Sequence, residues 1–192
     1  LYFAHKDDPD VPLDEILDAF GELVDAGIVR AIGASNYSAE RLAEALRVAD
    51  ERGLPRFTAM QPELNLLDRD QYEGALQQLC IGEGLGVVTY FSLASGYLSG
   101  KYRGADDLGK SPRGERVKPY LDGKGPALLA VMDRIAAETG ATLSQIALAW
   151  VAAQPGVTAP IASATTVAQL DELLGSLDLK LGDEQLAALG AA

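Results

Sequence analysis

The chain has 192 residues, 48% hydrophobic and 23% charged, the balance expected of an ordinary soluble globular protein. Its 28 acidic against 16 basic side chains leave a formal net charge of −12, a surface that repels a phosphate backbone and argues against nucleic acid as a partner. The lone cysteine, Cys80, excludes an internal disulfide and a thiolate zinc site, and the lone histidine, His5, excludes a multi-histidine metal centre. Asp7, Asp8 and Asp10 are followed by Val11 and Pro12 and not by the glycine turn of a calcium loop, so no metal is expected.

In chain order, Leu1–Ala4 is a short apolar run, and Leu1 opens it with no preceding cap, which leads us to expect a segment before it. Leu13, Ile16, Leu17, Phe20, Leu23 and Val24 recur at spacings of three and four and predict an amphipathic helix closed by Gly27. Val29–Gly33 is the next predicted strand, and Ser38 caps a helix burying Leu42, Ala45, Leu46 and Ala49. Phe57–Gln61 is a strand, Tyr72, Ala75, Leu76 and Leu79 face one way on a helix, and Val87–Phe91 is a strand again. A long polar loop is expected from about Gly96 to Gly125. A helix with Leu128, Met132 and Ile135 follows, then one opened by a capping box of Thr142 and Gln145. Thr158–Ala162 is the last strand. Thr166 and Gln169 are spaced as another capping box over Leu170, Leu173, Leu174 and Leu177, and a short helix closes the chain from Gly182. Trp150 and the Leu/Ile stripes read as core.

Strands that alternate with helices predict an α/β fold with a parallel sheet, and short strands with polar residues at their carboxyl ends suit a barrel. A complete (β/α)8 TIM barrel needs about 250 residues. The expectation is therefore one domain over residues 1–192 made of about the last five βα units of such a barrel. The longest uninterrupted apolar run, Ile146–Ala153, is too short to cross a bilayer, and neither end reads as a secretory signal, so a cytoplasmic protein is expected.

Two motifs match by letter but not by setting. Gly104-Ala-Asp-Asp-Leu-Gly109-Lys110-Ser111 spells a phosphate-binding loop, yet Pro112 and Gly114 follow at once, and Asp106 and Asp107 would put negative charge in the cradle. Gly82, Gly84 and Gly86 precede a strand, whereas a dinucleotide fingerprint follows one.

Polar residues gather at the predicted strand ends: His5 and Lys6, Ser35 and Asn36, Gln61, Tyr90, and Ala162 to Thr165. Each has a plain reading as a strand histidine, a helix-capping loop, a rim amide, a strand tyrosine or an N-cap. Taken in order, however, they resemble the aldo-keto reductases. Leu-Tyr-Phe-Ala-His5 is similar to the strand carrying that family's catalytic histidine, and Gly33-Ala34-Ser35-Asn36-Tyr37 to its Gly-x-Ser-Asn-Phe/Tyr signature. Gln61-Pro-Glu-Leu-Asn65 resembles its Gln-x-x-Tyr-Asn segment, and the run from Tyr90 to Tyr102 resembles its Tyr-Ser-Pro-Leu-Ala…Leu-Thr-Gly-Lys-Tyr run.

The resemblance implies hydride transfer from NADPH to the carbonyl of a small aldehyde or ketone. It implies that His5 orients the carbonyl oxygen, that Ser35, Asn36 and Gln61 hold the nicotinamide carboxamide, and that Tyr90 stacks on the ring. Ser92 and Leu93 would pass the pyrophosphate. Ser163, Thr165 and Thr166, leading into a helix N-terminus, would receive the adenosine phosphate, with Glu172 at the adenine. Gln169 stands where many relatives carry an arginine for the extra phosphate of NADP; NADP is still favoured over NAD. The family's tyrosine proton donor, with its lysine and aspartate, belongs to earlier strands, and none of their motifs occurs here. Two other readings stay open: a non-catalytic, cofactor-binding or regulatory barrel fragment, and a different barrel enzyme, such as an isomerase, that uses only the phosphate site.

Overall fold

Five strands lie in one sheet in chain order: β1 (Tyr2–Ala4), β2 (Ile32–Ser35), β3 (Phe57–Gln61), β4 (Gly86–Thr89) and β5 (Val157–Pro160). The pairs β1–β2, β2–β3 and β3–β4 are parallel, with Phe3 opposite Gly33 and Gly33 opposite Ala59. Between them run α1 (Leu13–Asp25), α2 (Ala39–Arg52) and α3 (Ala75–Gly82). After β4 come α4 (Gly114–Leu121), α5 (Gly125–Thr139) and α6 (Leu143–Ala152), and after β5 come α7 (Val167–Leu174) and α8 (Asp183–Ala191). This is a computed structural model, and it describes residues 1–110 and 114–192. Its contacts fall into two compact units.

The first unit comprises Leu1–Glu63, Asp70–Thr89 and Pro155–Thr158. Its core takes Leu13 and Leu17 from α1, Leu42, Ala45, Leu46 and Ala49 from α2, and Phe57 and Met60 from β3, as the helical spacing predicts. Ser38 caps α2 by accepting from the Arg41 amide at 3.2 Å. The second strand begins three residues later than predicted. Ile28 and Val29 are apolar and β-branched, but their amides both bond to Leu23 O, so they close α1 with Gly27 in the left-handed region instead of opening a strand.

The second unit comprises Leu64–Arg69, Tyr90–Gln154 and Ala159–Ala192. Tyr97, Leu98, Val117, Leu128, Met132, Ile146 and Trp150 fill its core, and the predicted capping box of Thr142 and Gln145 opens α6. The segment expected as a loop up to Gly125 instead holds two 3-10 turns, Ala94–Ser99 and Ala105–Lys110, and the helix α4. Pro119 lies inside α4, and a proline is what a pattern reading takes for a breaker. The predicted stripe of Leu170, Leu173, Leu174 and Leu177 is not buried in this chain: Leu170, Leu174 and Leu177 are exposed, Leu173 is half-buried, and no residue of α7 is buried.

Gly33 is dictated by close approach. A Cβ there would lie 2.5 Å from the Phe3 ring and 2.9 Å from Ala59 O, the neighbours on both sides in the sheet. Overpacking of this kind costs about 1–3 kcal/mol. Gly33→Ala should therefore lower the unfolding free energy by that amount, read as a lower urea midpoint at an unchanged m-value; an unchanged midpoint would contradict the packing.

Burial pushes the Cys80 thiol from its ordinary 9.0 up to about 11, and burial with the nearby Cys80 pushes the Tyr72 phenol from 10.0 up to about 12. Above about pH 9 the unfolded chain releases protons that the folded chain retains, so folding stability falls as pH rises. The loss should run from about pH 9 to 12, and Cys80→Ala should flatten the part of the stability curve between 9 and 11. A parent curve already flat there would contradict the assignment.

Candidate functional site

In the first unit the ends of β1, β2 and β3 are tied by a relay of hydrogen bonds. Asn36, one residue past β2, donates through Nδ2 to His5 O at 2.9 Å and to Ser35 Oγ at 3.1 Å. Ser35, buried at the end of β2, donates its hydroxyl to Gln61 O at 2.8 Å. The Ser35 oxygen thus acts as acceptor and donor at once. Asn36 holds a φ of 58°, a left-handed conformation that asparagine tolerates better than most residues. Four of the residues singled out in the sequence, His5, Ser35, Asn36 and Gln61, are brought together in this way. His5 itself is exposed and borders a cavity of about 330 Å³ that also takes in Lys6 and Phe20.

The loop after His5 is anchored by a residue that sequence reading passed over. Arg41 on α2 donates through Nε to both oxygens of Asp7, at 3.0 and 3.1 Å, and through Nη2 to Val11 O at 3.1 Å. The contact spans 34 residues, and nothing local in the sequence signals it.

In the second unit Tyr90, Ser92 and Leu93 sit on the turn that leaves β4. The predicted strand stops at Thr89 because Phe91 turns to a φ of 53°, and Ala94 and Ser95 follow at 47° and 56°. Such residues cost on the order of 1–3 kcal/mol each and persist only where the surroundings hold them. The turn closes on itself through Ala94 N to Phe91 O at 2.7 Å and Gly96 N to Leu93 O at 2.8 Å. Ser92 is buried, Leu93 is half-buried, and the Tyr90 and Phe91 rings meet edge-to-face at 5.1 Å.

Thr165, Thr166 and Gln169 cluster at the start of α7. Thr166 Oγ1 accepts from the Gln169 amide at 3.2 Å, but Gln169 Oε1 turns to the amide and hydroxyl of Thr165, both at 2.9 Å. The expected capping box is therefore only half formed, because Thr165 offers the glutamine two donors. Ser163 is exposed nearby in the chain. Glu172 is engaged elsewhere: its carboxylate accepts from Thr142 Oγ1 at 2.9 Å and its carbonyl accepts from Gln145 Nε2 at 2.8 Å.

In the letter-match to a phosphate loop, the amide of Gly104, like that of Arg103 before it, donates to Asp107 Oδ2, at 3.2 and 2.7 Å. The last residue of the match, Ser111, lies outside the described residues. Among those described, no group of three or more His, Cys, Asp or Glu could hold a metal ion, and no helix is long and apolar enough to cross a membrane.

The family model described as Aldo/keto reductase family matches residues 1–192. The chain belongs to the aldo-keto reductase family. It is 35% identical over 185 residues to Protein tas of Escherichia coli, covering 95% of this chain and 53% of that protein. It is 32% identical to a probable voltage-gated potassium channel subunit beta of Arabidopsis thaliana (93% and 56%) and 33% identical to the chloroplastic pyridoxal reductase of the same plant (91% and 47%). A crystal structure of a thermostable aldo-keto reductase in complex with the inhibitor epalrestat matches with a TM-score of 0.77 at 29% identity, over 99% of this chain and 58% of that one. The aldo-keto reductase chain thus spans about half the length of the curated relatives it matches, and its parallel sheet with helical crossovers matches part of a (β/α)8 barrel.

The relay predicts a graded response at Asn36. Asn36→Gly removes the bond to His5 O but keeps the backbone relaxed, whereas Asn36→Ala also forces alanine into the left-handed region. The alanine variant should be less stable than the glycine variant by about 1 kcal/mol. Equal midpoints in urea denaturation would show that residue 36 is not held at positive φ.

Proposed function

We propose that the chain is the C-terminal portion of a single aldo-keto reductase barrel domain and supplies the nicotinamide-binding side of a cytoplasmic carbonyl reductase. The observation that carries this reading is the relay joining His5, Asn36, Ser35 and Gln61, set within a family match over the whole chain. Its chemistry fits the nicotinamide end of NADPH: with the Ser35 proton and the Asn36 donors used in the relay, the oxygens of both side chains can accept from a carboxamide, and the Gln61 amide can donate to one. When bound, NADPH supplies a hydride to the carbonyl carbon of an aldehyde or ketone.

The side chains have these roles. His5 orients the carbonyl oxygen and stabilises negative charge developing there. Ser35, Asn36 and Gln61 hold the carboxamide, and Tyr90 offers an aromatic face to the ring, an attraction of about 1 kcal/mol beyond its area. Ser92 and Leu93 accompany the pyrophosphate. Ser163, Thr165 and Thr166 receive the adenosine phosphate with the help of the α7 dipole, and Glu172 meets the adenine after leaving Thr142. Gln169 contributes a neutral amide, so selectivity for NADP over NAD is modest. The proton that must reach the oxygen comes from none of these residues. General acid catalysis is typically worth about 10²–10⁴ in rate, so these residues alone have little or no reductase activity.

A regulatory, cofactor-binding role is the second reading, favoured by relatives that carry the name of voltage-gated potassium channel subunit beta. Fluorescence titration with NADPH and turnover of a ketone by the intact protein separate the two. Both readings predict saturable quenching, with NADH only a few-fold weaker, and absence of quenching overturns both. For the reductase, His5→Ala should leave the NADPH Kd within twofold and lower kcat at least tenfold. An unchanged kcat would remove His5 from the chemistry.

A further inference from the structure

We propose that Asn65 is a positioning residue that holds the turn carrying Tyr90, Ser92 and Leu93 in its cofactor-binding form, and that Tyr120 reinforces it through Asp68. The inference rests on the assignment of that turn to NADPH.

Asn65 is fully buried, and its amide uses every hydrogen-bonding capacity it has. Nδ2 donates to Phe91 O at 3.2 Å and to Asp68 Oδ2 at 2.9 Å, while Oδ1 accepts from the amides of Leu67 at 2.8 Å and Asp68 at 2.9 Å. Asp68 in turn accepts from the Tyr120 hydroxyl at 2.6 Å, so α4 is linked to the same point. Beside it, the Leu64 amide donates to Tyr90 O at 3.3 Å. Two consecutive carbonyls of the cofactor turn, those of Tyr90 and Phe91, are therefore held from one short segment, just where Phe91 enters its left-handed conformation.

A glutamine at position 65 would place its amide one methylene too far out, and an aspartate would present an acceptor to the Phe91 carbonyl. Asparagine alone both makes the local turn to Leu67 and Asp68 and reaches across to Phe91. A purely local role and a positioning role differ in one bond, the one to Phe91 O.

The swap Asn65→Asp with Asp68→Asn isolates that bond. It keeps an acceptor for the Leu67 and Asp68 amides, a donor–acceptor pair between 65 and 68, and an acceptor for Tyr120, but removes the donor to Phe91 O. Tyr120→Phe is the milder companion, with the buried amide intact, and decides the matter if the swap does not fold. Two readouts are taken on the intact protein: the Kd for NADPH by fluorescence, and hydrogen exchange at the amides of Ala94 and Gly96. The swap should raise the Kd at least tenfold and Tyr120→Phe about threefold, with faster exchange at both amides and none at β3. A Kd within twofold of the parent in folded variants, or unchanged exchange at Ala94 and Gly96, overturns the positioning role. A parent that does not bind NADPH overturns the functional assignment of the turn itself, a result distinct from parent binding with indifferent variants.

Discussion

Parallel pairing joined by helical crossovers is the constraint on which the rest depends. It sends the carboxyl ends of β1, β2, β3 and β4 to the same side of the sheet, so residues far apart in the chain meet at those ends. His5, Ser35 and Gln61 are separated by about 30 residues each, yet one asparagine and one hydroxyl suffice to join them. Close spacing of the strands has its own demand, met at Gly33, where the Phe3 ring and the Ala59 carbonyl leave no room for a side chain.

The polar groups at these ends are committed to backbone partners as much as to any ligand. Ser35 spends its proton on Gln61 O, and Asn36 spends its donors on His5 O and Ser35 Oγ. Such bonds fix the positions from which ligand contacts would be made, in the way that preorganised sites on rigid elements hold their geometry. The turn after β4 follows the same logic with strain added, since three non-glycine residues sit at positive φ within five positions. Arg41 does comparable work for the loop after His5.

Much of this was legible from periodicity and punctuation. The stripe of α1, the Ser38 cap of α2 and the Thr142–Gln145 box of α6 follow directly from residue spacing. Boundaries differ where one residue type has two uses: Val29 looks like strand but completes a helix exit with Ile28, and Phe91 looks like strand but turns away. The helix α4 lies in a stretch whose polar composition predicts a loop, and the apolar spacing of α7 tells which face is apolar and not whether anything covers it. Long-range pairs such as Arg41 with Asp7, or Asn65 with Phe91, leave no periodic trace. The hints of the latter were local: Asn65 closes the Gln61-to-Asn65 segment, and its spacing to Asp68 is that of an Asx-type turn.

The proposal that the strand ends of the first unit and the turns of the second each contact a nicotinamide nucleotide is tested most directly by titrating isotope-labelled protein with NADPH and following amide and side-chain NMR shifts. Saturable shifts are expected at Asn36, Gln61, Tyr90, Ser92, Thr165 and Thr166, with little change on the outer faces of α1 and α2. Saturable shifts confined to other residues, or none at these positions, would contradict it.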